Sequence, residues 1–62
     1  MATELRAGER VLYWRRLRGL TMRDIEQRTG LYRSSLSRIE RCEQEPGAWE
    51  LERIATALGL SM

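Results

Sequence analysis

The chain has 62 residues and a formal net charge of +2, with eleven arginines, no lysine and nine acidic residues. This length accommodates one small core and leaves no room for a second domain or an enzyme's cleft, so we expect no catalysis and no small-molecule substrate. Histidine is absent and Cys42 is the only cysteine, which excludes an internal disulfide and an ordinary zinc site. We therefore expect no metal and no cofactor.

No apolar run approaches the length of a membrane span, and none has the form of a secretory signal. We expect a cytoplasmic protein without a membrane partner. The charge is unevenly distributed: residues 1–42 hold ten arginines and five acids (+5), whereas residues 43–62 hold four glutamates and Arg53 (−3). The positive charge of residues 1–42 suits binding to a polyanion. On charge alone, a solvent-exposed surface of mixed charge is the simpler interpretation.

Every element that the sequence predicts is a helix. Residues 1–7 are expected to be a flexible lead-in, and the first helix follows over residues 8–18. Its apolar residues recur three apart and predict one inward face: Val11, Trp14 and Leu17. Gly19 is placed to end this helix in a left-handed conformation.

Two short helices joined at a glycine follow. Thr21 is a good cap for a helix over residues 22–29, and Asp24 stands at the reciprocal position of a capping-box-like pair. Gly30 supplies a backbone that can turn at positive φ, so a further helix over residues 33–41 can follow at once.

This third predicted helix has two different faces. Leu36 and Ile39 lie three apart on one side, whereas the other side is polar and rich in arginine: Arg33, Ser34, Ser37, Arg38 and Arg41. Such a helix suits the DNA major groove, which is lined by base edges and phosphates.

A loop with Pro46 and Gly47 precedes the fourth predicted helix, over residues 48–58. Its inner stripe is apolar: Leu51, Ile54, Ala55 and Leu58. Gly59 closes the helix, and Leu60 can fold back onto the core. The sequence therefore predicts a single all-α domain over residues 1–62.

Three stretches in this order resemble the Xre/Cro-like (lambda-repressor-like) helix-turn-helix DNA-binding domain: RGLTMRDIEQRTGL, SLSRIER and LERIATALGL. The resemblance covers residues 8–60. It implies a compact bundle of four or five helices whose third helix enters the major groove of double-stranded DNA. It also implies a bacterial or phage-encoded, nucleoid-associated regulator of transcription that most often acts as a repressor.

The resemblance also assigns roles to individual residues. Base reading falls to Tyr32, Arg33, Ser34, Ser37 and Arg38. Phosphate contacts fall to Thr21, Arg23 and Arg41. Arg15 and Glu40 match a structural ion pair between the first and third helices. Candidate contacts of a homodimer are Trp49, Leu60 and Met62. The apolar spacing gives Leu12, Tyr13 and Trp49 weaker inward positions than their neighbours, so they either cover the bundle or form a patch for self-association or a partner. Within the reading set, Arg38 is our first choice for a bidentate contact to guanine and Arg33 the second.

Some positions depart from the family pattern, and they support a second hypothesis. Met22 replaces a usual glutamine, Glu26 a small residue and Cys42 a glycine, while Glu43 and Glu45 occupy a loop that is often basic. An acidic loop and an exposed tryptophan favour a protein-interaction module of the same fold, such as an antitoxin-like or controller subunit. The sequence leaves open the operator, the sign of regulation, the assembly state and whether the chain is a fragment of a longer regulator.

Overall fold

Four helices form the fold in the computed structural model, which describes residues 5–60. They are α1 (Ala7–Leu17), α2 (Met22–Thr29), α3 (Arg33–Glu40) and α4 (Ala48–Ala57). Within residues 5–60 there is no strand, so the predicted all-α class is confirmed for this range. The boundaries differ from the predicted ones by single residues, because α1 begins one residue early and α1, α3 and α4 each end one residue early. Over the same range, no helix combines the length and hydrophobicity needed to cross a bilayer.

The core draws on all four helices. Its fully enclosed apolar side chains are Val11, Ile25, Leu36, Ile39, Ile54 and Leu58. Half-buried residues complete it: Trp14, Leu20, Met22, Leu31 and Leu60. Met22 therefore packs against the core.

The prediction that Leu17 lies on the inward face of the first helix is wrong, because its side chain is 61% exposed. An α-helix advances about 100° per residue, so positions three apart drift backward by about 60° at each step. From Val11 to Leu17 the drift is about 120°, which carries Leu17 past the edge of the buried stripe.

Gly8 sets the distance between α1 and α3. It is buried, and a Cβ built on it would overlap the Ile39 carbonyl oxygen and lie 3.3 Å from the Cys42 sulfur. Only a residue without a side chain permits this close backbone approach. The sequence pattern marked Gly8 only as the start of a helix, so its packing role is a finding of the structure.

The end of α3 has a backbone conformation that usually requires glycine. Cys42 has φ +62°, the left-handed region, and its amide donates to the Ile39 carbonyl at 3.0 Å. The Glu43 amide donates to the Arg38 carbonyl at 2.8 Å, which completes a Schellman motif. Cys42 thus takes the left-handed conformation although its Cβ makes that conformation strained.

Candidate nucleic-acid interface

The first helix of the pair, α2, starts at a complete capping box. The Thr21 hydroxyl accepts from the Asp24 amide at 3.1 Å, and the Thr21 amide donates to Asp24 Oδ2 at 2.8 Å. Hydrogen bonds with Thr21 lower the pKa of Asp24. The bond from the Thr21 backbone amide contributes most, and the bond with the Thr21 side chain comes second. Thr21 is thus fixed at the helix entrance.

Glu26 links α2 to the start of α3. Its Oε2 accepts from the Arg33 amide at 3.0 Å, and its Oε1 lies 3.6 Å from Arg33 Nε. Tyr32, the residue at the cap of α3, provides no side-chain cap of its own. Glu26 therefore satisfies the first amide of α3 from the preceding helix and places a negative charge at the positive end of the helix dipole. This role accounts for the long acidic side chain of Glu26, at a position where the family resemblance implies a small residue.

The turn between these helices is short. Gly30 ends α2 with φ +78°, and its amide donates to the Glu26 carbonyl at 2.8 Å. The buried Thr29 hydroxyl donates to the Ile25 carbonyl at 2.7 Å and accepts from the Leu31 amide at 3.1 Å. The amides of Gly30 and Leu31 thus both bond to residues of α2, and these bonds fix the position of α3 relative to α2.

The polar face of α3 points to solvent, as the sequence pattern predicts. Leu36 and Ile39 are buried beneath it, whereas Tyr32 is 80% exposed. Arg33, Ser34, Arg38 and Arg41 are also exposed, and Ser37 is half-buried. The five residues assigned to base reading thus lie together along one side of a helix whose other side is anchored in the core.

The three arginines of this face have different partners. Within the described residues, the guanidinium of Arg38 has no hydrogen bond or ion pair, and Arg33 lies beside Glu26. Arg41 donates to both carboxylate oxygens of Glu43, at 3.0 and 3.2 Å, and to Ser37 Oγ at 2.6 Å. Arg38 is therefore the arginine of this face whose guanidinium donors are all free within the described residues, although Glu43 lies near enough to interact with its charge.

Glu43 limits the positive charge of the face. Its hydrogen bonds with Arg41 lower its pKa, and the same bonds raise the pKa of Arg41, so both groups are held in their charged forms. We call the exposed side of α3 the α3 face; it carries Tyr32, Arg33, Ser34, Ser37, Arg38 and Arg41. With Glu26 and Glu43 beside its three arginines, the net charge of this face is +1. The sequence showed an acidic loop, but the pairing with Arg41 emerges only from the three-dimensional arrangement.

Arg15 and Glu40 hold α3 against α1. Arg15 Nε and Nη2 donate to the two Glu40 carboxylate oxygens at 2.7 and 3.0 Å, and Arg15 Nη1 donates to the Leu20 carbonyl at 3.0 Å. Both side chains are largely enclosed, with 16% and 8% of their areas exposed. The hydrogen bond with Glu40 raises the pKa of Arg15. This bidentate pair fixes the orientation of α3, a role in which geometry matters more than net stability.

Of the expected dimer residues, Trp49 and Leu60 lie on different sides of α4. Trp49 is exposed and lies against Arg53, whose guanidinium carbon is 5.0 Å from the ring centroid and whose Nε donates to the Thr29 carbonyl at 2.8 Å. Leu60 instead lies on the side of Leu51 and Ala55, facing α1. Those two residues are about 200° and 240° around α4 from Trp49. Met62 lies outside the described residues.

Arginine side chains also bond the C-terminal carbonyls of two helices, and the sequence pattern did not predict these contacts between α2 and α4. Arg28 Nη1 donates to the Ala57 carbonyl at 3.1 Å, at the end of α4, while Arg53 bonds the end of α2. Cations at helix C-termini complement the helix dipole, so these bonds brace α2 against α4.

No group of three or more potential ligands in residues 5–60 is arranged to hold a metal ion.

Two helices joined by a left-handed glycine, with the second anchored on one side and polar on the other, define a helix-turn-helix protein. The chain belongs to the family described as "Helix-turn-helix domain", whose model matches residues 5–62. Comparison with curated proteins and comparison with solved structures gave no significant match. Family membership indicates DNA as the partner and the regulation of transcription as the role.

Proposed function

We propose that the chain is a sequence-specific, double-stranded-DNA-binding regulator of the Xre/lambda-repressor-like type, which represses transcription by occupying an operator. The observation that carries this proposal is the α3 face, on which the five assigned readers are gathered and Arg38 is unpaired among residues 5–60. The function requires no cofactor, small-molecule substrate or catalytic step. The protein works in the cytoplasm, where it is associated with the nucleoid, and it is encoded by a bacterium or a phage.

In this proposal, Arg38 makes the principal base contact. A free guanidinium can bond guanine O6 and N7 together, and such a pair discriminates by about 1–3 kcal/mol against a wrong base. Arg33 is the second reader, and its Nε lies 3.6 Å from Glu26 Oε1. Tyr32, Ser34 and Ser37 complete the face with apolar and short polar contacts.

Phosphate contacts position the face on the duplex. Thr21, Arg23 and the following amides lie at the positive end of α2, where phosphate is favoured. Arg41 supplies a further, partial contact, because Glu43 competes with phosphate for its guanidinium. Contacts to phosphate carry little sequence information, so their removal weakens binding to all duplexes alike.

Two copies about one DNA turn apart would read a palindromic operator. Selection of bound sites from a random duplex library tests this function, and a symmetric consensus is the expected result. Fluorescence anisotropy on the selected site and its single-base variants then separates the two kinds of contact. Arg38→Ala should lose discrimination at one base pair, whereas Arg41→Ala should weaken binding to every sequence and lower its salt dependence.

Arg10→Ala is the matched control, because Arg10 is an exposed arginine on α1 and away from the α3 face. It should leave both the consensus and the discrimination unchanged. Equal losses on all sequences for Arg38→Ala would remove its assigned role.

The second candidate function is a protein-interaction module of the same fold. Its support is the low charge of the α3 face, +1 after pairing with Glu26 and Glu43, together with the exposed Trp49. A module of this kind would not bind random duplex DNA even at low salt, whereas a reader that meets phosphates with arginines would.

A further inference from the structure

The outward side of α1 carries an apolar face that the DNA-binding proposal does not use. Its residues are Leu5, Glu9, Leu12, Tyr13, Arg16 and Leu17. Five large apolar side chains in residues 5–60 are markedly exposed, and three of them belong to this α1 face: Leu5, Tyr13 and Leu17. The other two have explanations in the site, because Tyr32 belongs to the α3 face and Trp49 supports Arg53.

Two charged residues sit within this apolar face, one on each side of its centre. Glu9 and Arg16 are seven residues apart, two turns of helix and about 10 Å along the axis, and therefore on one side of α1. Glu9 Oε1 accepts from the Arg6 amide at 2.8 Å, which leaves its other oxygen free for a further bond. Across the described part of the chain, Arg16 has no ion-pair partner.

We propose that the α1 face binds a second copy of this chain, with the two α1 helices antiparallel about a two-fold axis between Leu12 and Tyr13. A two-fold axis makes each contact occur twice, with residue i on residue j and j on i. The midpoint of Glu9 and Arg16 falls between Leu12 and Tyr13. Antiparallel pairing therefore places Glu9 of each copy beside Arg16 of the other, around an apolar centre of leucine and tyrosine side chains.

The size of the α1 face sets the strength of this dimer. A helix of eleven residues is about 16 Å long. Such a contact lies below the standard interface of about 1,600 Å², in the class of weak and reversible complexes. We expect a dissociation constant of about 10 µM to 1 mM, at which isolated chains dimerise only when concentrated.

Sedimentation equilibrium of the chain without DNA, from about 10 µM to 1 mM, measures this association independently of DNA binding. The mass should rise from 7.3 kDa towards twice that value. In Arg16→Glu, the introduced carboxylate of each copy lies beside Glu9 of the other copy, so two like-charge contacts form. The dissociation constant should therefore rise by at least about tenfold. Glu9→Arg should do the same, and the double exchange Glu9→Arg/Arg16→Glu should restore association.

Arg10→Glu is the matched control, since Arg10 lies on the same helix but lines the groove towards α4. It should leave the dissociation constant unchanged. Tyr13→Ser provides a second, uncharged test that should also weaken the dimer, and circular dichroism establishes that each variant is folded. A constant mass of 7.3 kDa up to 1 mM would overturn the proposal. So would an unchanged dimer in Arg16→Glu, or loss of the dimer in Trp49→Ala alone.

Discussion

Glu43→Gln should strengthen DNA binding, although Glu43 itself makes no DNA contact in the proposal. In the structure its carboxylate occupies two donors of the Arg41 guanidinium, at 3.0 and 3.2 Å. Glutamine removes the negative charge, so the net charge of the α3 face rises from +1 to +2 and Arg41 is free to bind phosphate. Each additional phosphate contact adds about 0.9 to the slope of log affinity against log salt.

The size of the effect follows from that slope. Between about 50 and 200 mM salt, a slope difference of about 0.9 corresponds to a three- to fourfold change in affinity. The variant should therefore exceed the parent chain most at low salt and lose about that much of its advantage across this range. Fluorescence anisotropy on one random-sequence duplex at four or five salt concentrations measures both quantities.

Glu52→Gln is the matched control, because it makes the same change in net charge at an exposed position on α4. It should leave the slope unchanged. Identical slopes for Glu43→Gln and the parent chain would refute the release of Arg41. Equal gains in the two variants would show that net charge alone, and no particular contact, controls the affinity.

Three further predictions concern stability. Gly8→Ala brings a Cβ onto the Ile39 carbonyl and should destabilise the fold by about 1–3 kcal/mol in thermal unfolding; an unchanged midpoint would contradict the close approach of α1 and α3. Cys42→Gly should be more stable than Cys42→Ala by about 1 kcal/mol in chemical denaturation, because only glycine relieves the strain of φ +62°, and equal stabilities would contradict this. Because the pKa of Asp24 is lowered on folding, its stabilisation is complete above its ordinary pKa of about 4 and is lost as pH falls through the lowered value. Unfolding between pH 6 and 2 should therefore be less pH-dependent in Asp24→Asn, and equal profiles would exclude this contribution.

Local signals in the sequence predict much of the fold. Thr21, Asp24 and Gly30 act through their immediate neighbours, so the limits of α2 follow from the order of residues alone. The apolar spacing of Leu36 and Ile39 likewise identifies the buried side of α3, and with it the exposed polar side. The error at Leu17 is of the same local kind, since spacing by threes drifts away from the helical period.

Contacts between distant residues are what the sequence pattern does not supply. Gly8 meets Ile39 across two helices, and the pairing of Glu26 with Arg33 depends on the angle of the turn. Glu43 is near Arg41 in sequence, but its contact requires the left-handed backbone of Cys42. The charge of the α3 face was therefore predictable only as a set of arginines, without the two carboxylates that reduce it.

Mapping the DNA contact by nuclear magnetic resonance tests the central claim most directly. An isotopically labelled chain is titrated with a duplex at low salt, and the change in each backbone amide signal is recorded. The largest changes should cluster in residues 32–38 and 21–23, while α4 changes little. Changes confined to α4, or no change with excess duplex, would contradict the claim that the exposed side of α3 meets DNA.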